Sequence, residues 1–173
     1  GKANYVNKFV RTEGFLVEQE MGKSMWAGLM EKSSASSLPG WGAQGGIKDS
    51  SSTDITIHGG ALLSTFYQCG EGYQLNPFTL DTEKKVSWVP SGGLSAHPKV
   101  DLATGELLFF NYSKQAPYLH YGVVDEYQNL KHFIPVELPG PRLPHDMAFS
   151  KNYSILNDLP LFWDQEMLKK GVH

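Results

Sequence analysis

Short apolar segments that alternate with turn residues dominate the chain from Thr53 onward. The run Ile55-Thr56-Ile57-His58 is followed by a Gly59-Gly60 turn and a second apolar run, which is the pattern of a β-hairpin. Similar runs recur at close spacing and predict further strands at 62–67, 72–75, 86–89, 97–101, 107–112, 118–124, 130–136, 147–149, 154–157 and 161–163. The spacing therefore predicts a meander of many short antiparallel strands.

The first third of the chain follows a different pattern. Residues 5–12 have the composition of a strand, and residues 13–26 are mixed enough to form either a short helix or a loop. Residues 33–52 are rich in serine and glycine and carry no apolar period, which predicts a long surface loop. Because no long amphipathic helix is indicated, we expect an all-β chain of antiparallel sheets, as in sandwiches, barrels or propeller blades.

The composition is that of a globular domain with a sizeable core, since 40% of the 173 residues are apolar and 12% are aromatic. The net charge is −3 and the lysines are scattered, so no basic stripe could follow a phosphate backbone, and nucleic acid is not an expected partner. No apolar run approaches the roughly 20 residues that span a bilayer, which leaves peripheral membrane contact open. A single cysteine and the lack of a secretory leader pattern favour a cytoplasmic setting. No protein partner is indicated.

One string matches a known motif in its letters only. The run Gly40-Trp41-Gly42-Ala43-Gln44-Gly45 satisfies the GxGxxG pattern, but it does not lie between a strand and a helix, as a dinucleotide site requires. Cys69 lies among apolar residues without a basic neighbour, and no GxSxG elbow is present. Neither nucleotide binding nor nucleophilic hydrolysis is predicted.

Two of the six histidines are distinguished by their neighbours. His97 is followed by Pro98 and His145 is preceded by Pro144, so each imidazole is expected at the entrance of a strand whose backbone is restricted. Such stiffness suits a metal ligand. The two histidines do not form a short metal-binding motif such as HxH or HExxH, so a structural role stays open for both. The other internal histidines are expected to be structural, namely His58, His120 and His132.

Several strings occur together along the chain: Ser-Ala-His-Pro-Lys-Val-Asp at 95–101, Thr-Gly-Glu-Leu at 104–107, Leu-Pro-Gly-Pro at 138–141, His-Asp at 145–146 and Asn-Asp-Leu-Pro-Leu at 157–161. Their combination resembles the carotenoid cleavage oxygenases, a family that also contains lignostilbene dioxygenases and the retinal-pigment-epithelium isomerase. Segments 5–12, 54–63 and 73–82 look like the same family, so the resemblance covers nearly the whole chain.

The resemblance implies a seven-bladed β-propeller of antiparallel blades with long surface loops and a minor helix, of which residues 1–173 would be a single partial domain of about three blades. It also implies a central Fe(II), held by four histidines, that cleaves a conjugated carbon–carbon double bond with O2 to give aldehydes or ketones. His97 and His145 match the first two ligands, and the other two would lie beyond His173. No catalytic residue besides metal ligands is implied, and the isolated chain is expected to be inactive.

The resemblance extends to residues around the metal and the substrate. The family orients its ligand imidazoles with glutamates, and the first of these falls at Gln68, with Glu71 as the alternative in another register. Stilbene-cleaving members hold a phenol oxygen with a tyrosine and a lysine, whose positions match Tyr5 and Tyr67. The missing lysine favours a carotenoid or apocarotenoid over a stilbene. Gln68 also suggests an alternative function, a catalytically dead β-propeller that serves as a binding module.

Overall fold

Ten strands and two short helices form the chain in the computed structural model, which describes residues 1–28, 31, 33–41, 46–162 and 164–170. The helices are α1 (Glu13–Met21) and α2 (Gln165–Lys169), and a 3-10 turn covers Ser33–Ala35. The strands are β1 (Asp54–His58), β2 (Ala61–Thr65), β3 (Tyr73–Leu75), β4 (Thr82–Lys85), β5 (Lys99–Asp101), β6 (Glu106–Tyr112), β7 (Tyr118–Val124), β8 (Leu130–Glu137), β9 (Met147–Phe149) and β10 (Ser154–Leu156).

The strands form three antiparallel sheets, each a meander in chain order. The first sheet has the order β1-β2-β3-β4, the second β5-β6-β7-β8, and the third is the pair β10-β9. The first strands of the sheets are neighbours, because β1 lies beside β5 and β5 lies beside β9. The prediction of an all-β chain of antiparallel sheets is confirmed, and the starts of these three strands lie close together.

A tightly packed core joins the first two sheets. Phe109 is fully buried at its centre, with ring centres 5.7 Å from Trp88 and 6.2 Å from Phe133. Gly122 lies opposite Phe109 in the β6–β7 ladder, and a Cβ atom there would overlap the Phe109 ring. Because residue 122 has no side chain, the Phe109 ring can pack directly against the backbone of β7.

Helix α1 is capped at both ends. Of the two alternatives predicted for residues 13–26, a short helix or a loop, the helix is therefore the correct one. The Thr12 hydroxyl accepts a 3.1 Å hydrogen bond from the Phe15 N–H, as an N-cap residue does. Gly22 ends the helix with φ 65°, a left-handed conformation that glycine adopts without steric cost.

Three predicted strands differ from the structure. Residues 5–12 form no strand, since their side chains are mostly exposed and only isolated bonds such as Arg11 N–H to Thr82 Oγ1 tie them to β4. The apolar run 86–89 is not a strand either; the neighbouring polar Thr82–Lys85 forms the sheet edge, and Trp88 fills the core from a loop. Residues 161–162 make only an isolated bridge, from Phe162 to Arg142, and Trp163 lies outside the described residues.

The irregular backbone predicted at 33–52 is confirmed for its described part, where a 3-10 turn and a bridge between Trp41 and Ile47 interrupt it. The predicted surface position is wrong at Asp49 and Ser51, which are buried. Most of the GxGxxG string, at 42–45, lies outside the described residues, as does His173.

Candidate metal centre

His97 and His145 are brought together at the starts of two neighbouring strands. His97 lies two residues before β5, and His145 lies two residues before β9. The centres of their imidazole rings are 5.1 Å apart, and the ring planes are inclined by 46°. Because 48 positions separate the two histidines along the chain, this contact depends on the packing of the second sheet beside the third.

The spacing of the two rings fits a shared metal ion. Two imidazoles that bind one first-row ion at about 2.1 Å from their nitrogens have ring centres roughly 4.5–6 Å apart, for angles at the metal between about 90° and 130°. The observed 5.1 Å falls within this range. Neutral imidazole is a ligand that suits Fe(II) as well as zinc and copper, so the donor chemistry also fits an iron centre.

An aspartate from the first sheet joins the same cluster. Nδ1 of His97 lies 3.0 Å from Oδ2 of Asp54, the first residue of β1. Both side chains are half-buried, at 26% and 33% exposure. Sequence reasoning missed Asp54, although its position at the start of β1 parallels those of the two histidines before β5 and β9.

His97 has an unusual backbone conformation. Its φ angle is 60°, in the left-handed region that residues with a Cβ rarely adopt, and it precedes a proline, which favours an extended conformation instead. The observed conformation is therefore not the one that the following proline favours, and the stiffness predicted for this strand entrance stays a prediction. A conformation of this kind costs on the order of 1–3 kcal/mol and is found most often at functional sites, where the surroundings enforce it.

An ion pair connects the two segments that carry the histidines. Lys99 Nζ lies 2.7 Å from Asp146 Oδ1 and so joins the first residue of β5 to the residue that follows His145. Burial opposes the charged form of Asp146, but hydrogen bonds from Lys99 and from the Met147 N–H outweigh it, and the pKa of Asp146 lies below its ordinary value. The ion pair thus supports the relative placement of the two segments that carry the histidines.

Gln68 and Glu71, the predicted partners of the ligand imidazoles, lie in different environments. Gln68 is fully buried, and neither amide atom has a hydrogen-bond partner within the described residues. Gly70, two residues on, forms a bridge with Leu94, which brings this segment alongside the one that leads to His97. The carboxylate of Glu71 is directed towards Lys85, whose Nζ lies 3.5 Å away.

The two predicted substrate residues also differ in setting. Tyr67 lines a cavity of about 600 Å3 together with Trp26 and Phe66. Tyr5 is 85% exposed in the N-terminal segment, where its hydroxyl accepts a hydrogen bond from Asn7, and it does not line this cavity. Both roles stay predictions.

Of the other internal histidines, His58 and His120 have structural contacts and His132 is exposed. His58 is buried, with Nε2 3.1 Å from the Gly105 carbonyl oxygen, and burial lowers its pKa. The His120 ring stacks on Phe133 at 4.7 Å, and its Nδ1 lies 3.2 Å from Asn111 Oδ1. His132 is exposed on β8.

The described part of the chain has neither a larger cluster of metal-binding side chains nor a membrane-spanning helix. It contains no group of three or more histidine, cysteine, aspartate or glutamate side chains arranged to hold a metal ion. Neither helix has the length and apolar character required to cross a membrane.

Comparison with known proteins gives one consistent result. The family model described as retinal pigment epithelial membrane protein matches residues 1–173. Carotenoid 9,10(9',10')-cleavage dioxygenase 1 of Pisum sativum is 31% identical over 98% of this chain, and isoeugenol monooxygenase of Pseudomonas nitroreducens is 29% identical over 92% of it. Both matches cover 34% of the relative, so the chain spans about a third of the length of these proteins.

A solved structure agrees with the sequence comparison. The crystal structure of Pseudomonas brassicacearum lignostilbene dioxygenase is 27% identical, with a TM-score of 0.73 over 94% of this chain and 34% of that protein. Such structures are β-propellers, and the antiparallel sheets of this chain match part of one of them without closing on themselves.

Proposed function

Because this chain belongs to the retinal pigment epithelial membrane protein family, the family of the carotenoid cleavage oxygenases, we propose that the whole protein is a non-haem Fe(II) dioxygenase. Its reaction would be the oxidative cleavage of a conjugated carbon–carbon double bond with O2, which gives two aldehyde or ketone products. The observation that carries this proposal is the approach of His97 and His145 to 5.1 Å between ring centres.

The two histidines would supply half of a four-histidine ligand set. Fe(II), when bound, supplies the activation of O2 towards the double bond of the substrate. The residues of this chain hold the ligand nitrogens in place, since His97 and His145 project from the starts of packed strands and Lys99 and Asp146 link those strands by an ion pair. A rigid set of neutral nitrogen ligands leaves coordination positions free for the reactants.

We propose that the three sheets are the first three blades of the propeller. Asp54 and His58 face the second sheet, where they contact His97 and Gly105, whereas Ile55 and Ile57 alternate with them on β1 and are 57% and 69% exposed. A further blade would cover these isoleucines. The isolated chain would then be inactive and prone to association, because it has open sheet edges and only two ligands.

A polyene substrate, a carotenoid or an apocarotenoid, is favoured over a phenolic stilbene. The relatives act on both classes by name, carotenoids in one case and lignostilbenes in another. Tyr67 occupies the position of the phenol-binding lysine, and the aromatic residues Trp26 and Phe66 line the cavity beside it. The charged residues Glu18, Glu31 and Lys48 line the same cavity, so the preference for a hydrocarbon chain rests on the lack of a lysine at residue 67 and not on the character of the whole wall.

The proposal is tested with the full-length protein that contains this chain. Iron content and cleavage of an apocarotenoid and of a stilbene are measured for the wild type, for His97→Ala and for His145→Ala, with the exposed His132→Ala as the matched control. We expect each ligand substitution to reduce iron content by at least about 10-fold, as loss of even an outer-sphere partner does, and to abolish cleavage. Wild-type iron content in both ligand variants would refute the proposal.

One residue favours the alternative of a binding module without catalysis. Gln68 stands where the family uses a glutamate, and its buried amide lacks partners among the described residues. A neutral amide would support a ligand imidazole less strongly than a carboxylate does. Purified full-length protein that binds a polyene but contains no iron after reconstitution, and forms no carbonyl product, would favour this alternative.

A further inference from the structure

We infer that Asp54 is a positioning residue for His97, which it holds with Nε2 turned towards the space shared with His145. The inference rests on the proposed function and adds to it a residue from the first sheet. Its basis is the 3.0 Å contact between Asp54 Oδ2 and His97 Nδ1, which joins residues 43 positions apart.

The Asp54 carboxylate is itself fixed, as an orienting group must be. Its Oδ1 accepts a 2.8 Å hydrogen bond from the Ile55 N–H, and this leaves Oδ2 directed at His97. The backbone of Asp54 is paired with Thr65 in the β1–β2 ladder, and its carbonyl oxygen accepts a 3.4 Å hydrogen bond from the Thr65 hydroxyl. The acceptor is therefore part of a sheet and not of a mobile loop.

His97 needs such an anchor because its own segment does not immobilise the ring. The residue precedes β5 and is not part of it, and 26% of its side chain is exposed. Its left-handed backbone, with φ 60°, also requires support from the surroundings. A hydrogen bond from a second sheet fixes both the rotation of the ring and the position of the segment.

The contact also determines the tautomer of the imidazole. A carboxylate can only accept a hydrogen bond, so Nδ1 of His97 carries the proton and the lone pair lies on Nε2. This is the arrangement in which a carboxylate orients a metal-binding histidine and raises its basicity. Asp54 would perform this role for His97 in a position that is independent of Gln68 and Glu71.

The test uses the full-length protein reconstituted with Co(II), whose visible spectrum reports the ligand geometry without any turnover. Metal affinity and spectrum are compared for the wild type, Asp54→Ala and Asp54→Asn. Asp101→Asn is the control, because Asp101 lies at the other end of β5 and its carboxylate accepts from the Ala103 N–H. We expect Asp54→Ala to weaken Co(II) binding by about 10- to 100-fold and to change the spectrum. Asp54→Asn, which keeps an acceptor but loses the charge, should recover part of the affinity, and Asp101→Asn should behave as the wild type.

The same measurements on His97→Ala and His145→Ala separate the two proposals. If these variants lose Co(II) and Asp54→Ala retains wild-type affinity and spectrum, the positioning role is wrong and the metal centre stands. If the histidine variants bind Co(II) as the wild type does, the proposed metal centre itself is wrong.

A second measurement decides the case in which Asp54→Ala does not fold. Long-range 1H–15N correlation spectra of the metal-free wild type report which ring nitrogen of His97 is protonated, with His97→Asn as the assignment control. In the neutral ring, protonation at Nδ1 is expected, and protonation at Nε2 instead of Nδ1 would overturn the inference.

Discussion

Asp49 gives the protein a pH-dependent stability that can be worked out from its surroundings. The side chain is fully buried and accepts hydrogen bonds from the Ser51 N–H at 2.8 Å and the Glu71 N–H at 2.7 Å. Burial raises the pKa of Asp49 to about 6 from 3.8, against the two hydrogen bonds that lower it, and the negative charges of Glu71 and Glu13 raise it further. The carboxylate thus fastens the loop after Gln68 to the segment that leads into β1.

The direction of the pH effect follows from the raised pKa. Between pH 3.8 and 6 the folded protein binds the Asp49 proton more tightly than the unfolded chain, so the stability that this proton contributes is lost as the pH rises. A difference of about 2 pKa units corresponds to about 3 kcal/mol, and about 1.4 kcal/mol of this falls between about pH 5 and pH 8. Asp49→Asn cannot titrate and should lack this dependence.

The assay is urea unfolding of the wild type and of Asp49→Asn at several pH values between about 5 and 8, followed by tryptophan fluorescence. Between about pH 5 and pH 8 the free energy of unfolding of the wild type should fall by about 1.4 kcal/mol relative to that of Asp49→Asn. This change is expected whatever the difference between the two proteins at pH 5. Asp81→Asn is the control, since Asp81 is an exposed partner of Lys8 and its pKa is lowered, so any slope has the opposite sign. A difference for Asp49→Asn that stays constant across this range would refute the reasoning.

Three further predictions concern the fold. Phe109→Ala should lower the free energy of unfolding by about 3–5 kcal/mol in chemical denaturation, because it empties the centre of the core; a loss below about 1 kcal/mol would contradict the described packing. Thr12→Ala removes the cap of α1 and should cost about 1 kcal/mol, with Thr12→Ser restoring most of it in the same assay. Burial raises the pKa of the Cys69 thiol to about 12, so a thiol reagent at pH 8 should label the denatured protein and leave the native protein unlabelled. Rapid labelling of the native protein would show that this thiol is accessible.

Much of the fold could be predicted because its elements depend on local chemistry. The apolar runs and glycine turns that predicted the hairpins correspond to β1–β2 and β5–β8, where apolar side chains face a neighbouring sheet. The prediction was wrong for 86–89, since the apolar Val86 and Trp88 fill the core from a loop while the polar Thr82–Lys85 forms the edge strand. An edge strand with one exposed face needs few apolar residues, so its sequence does not distinguish it from a loop.

The candidate metal centre also depends partly on the local sequence and partly on the tertiary packing. The prolines beside His97 and His145 distinguish these two histidines locally, whereas their assignment as metal ligands rests on the resemblance of the surrounding strings to a family and stays a prediction. Their 5.1 Å approach, the hydrogen bond from His97 to Asp54 and the burial of Gln68 are decided by the docking of three sheets. Contacts between residues 43 or more positions apart have no local signature, and only the tertiary structure turns two separate histidine segments into one centre with an aspartate beside it.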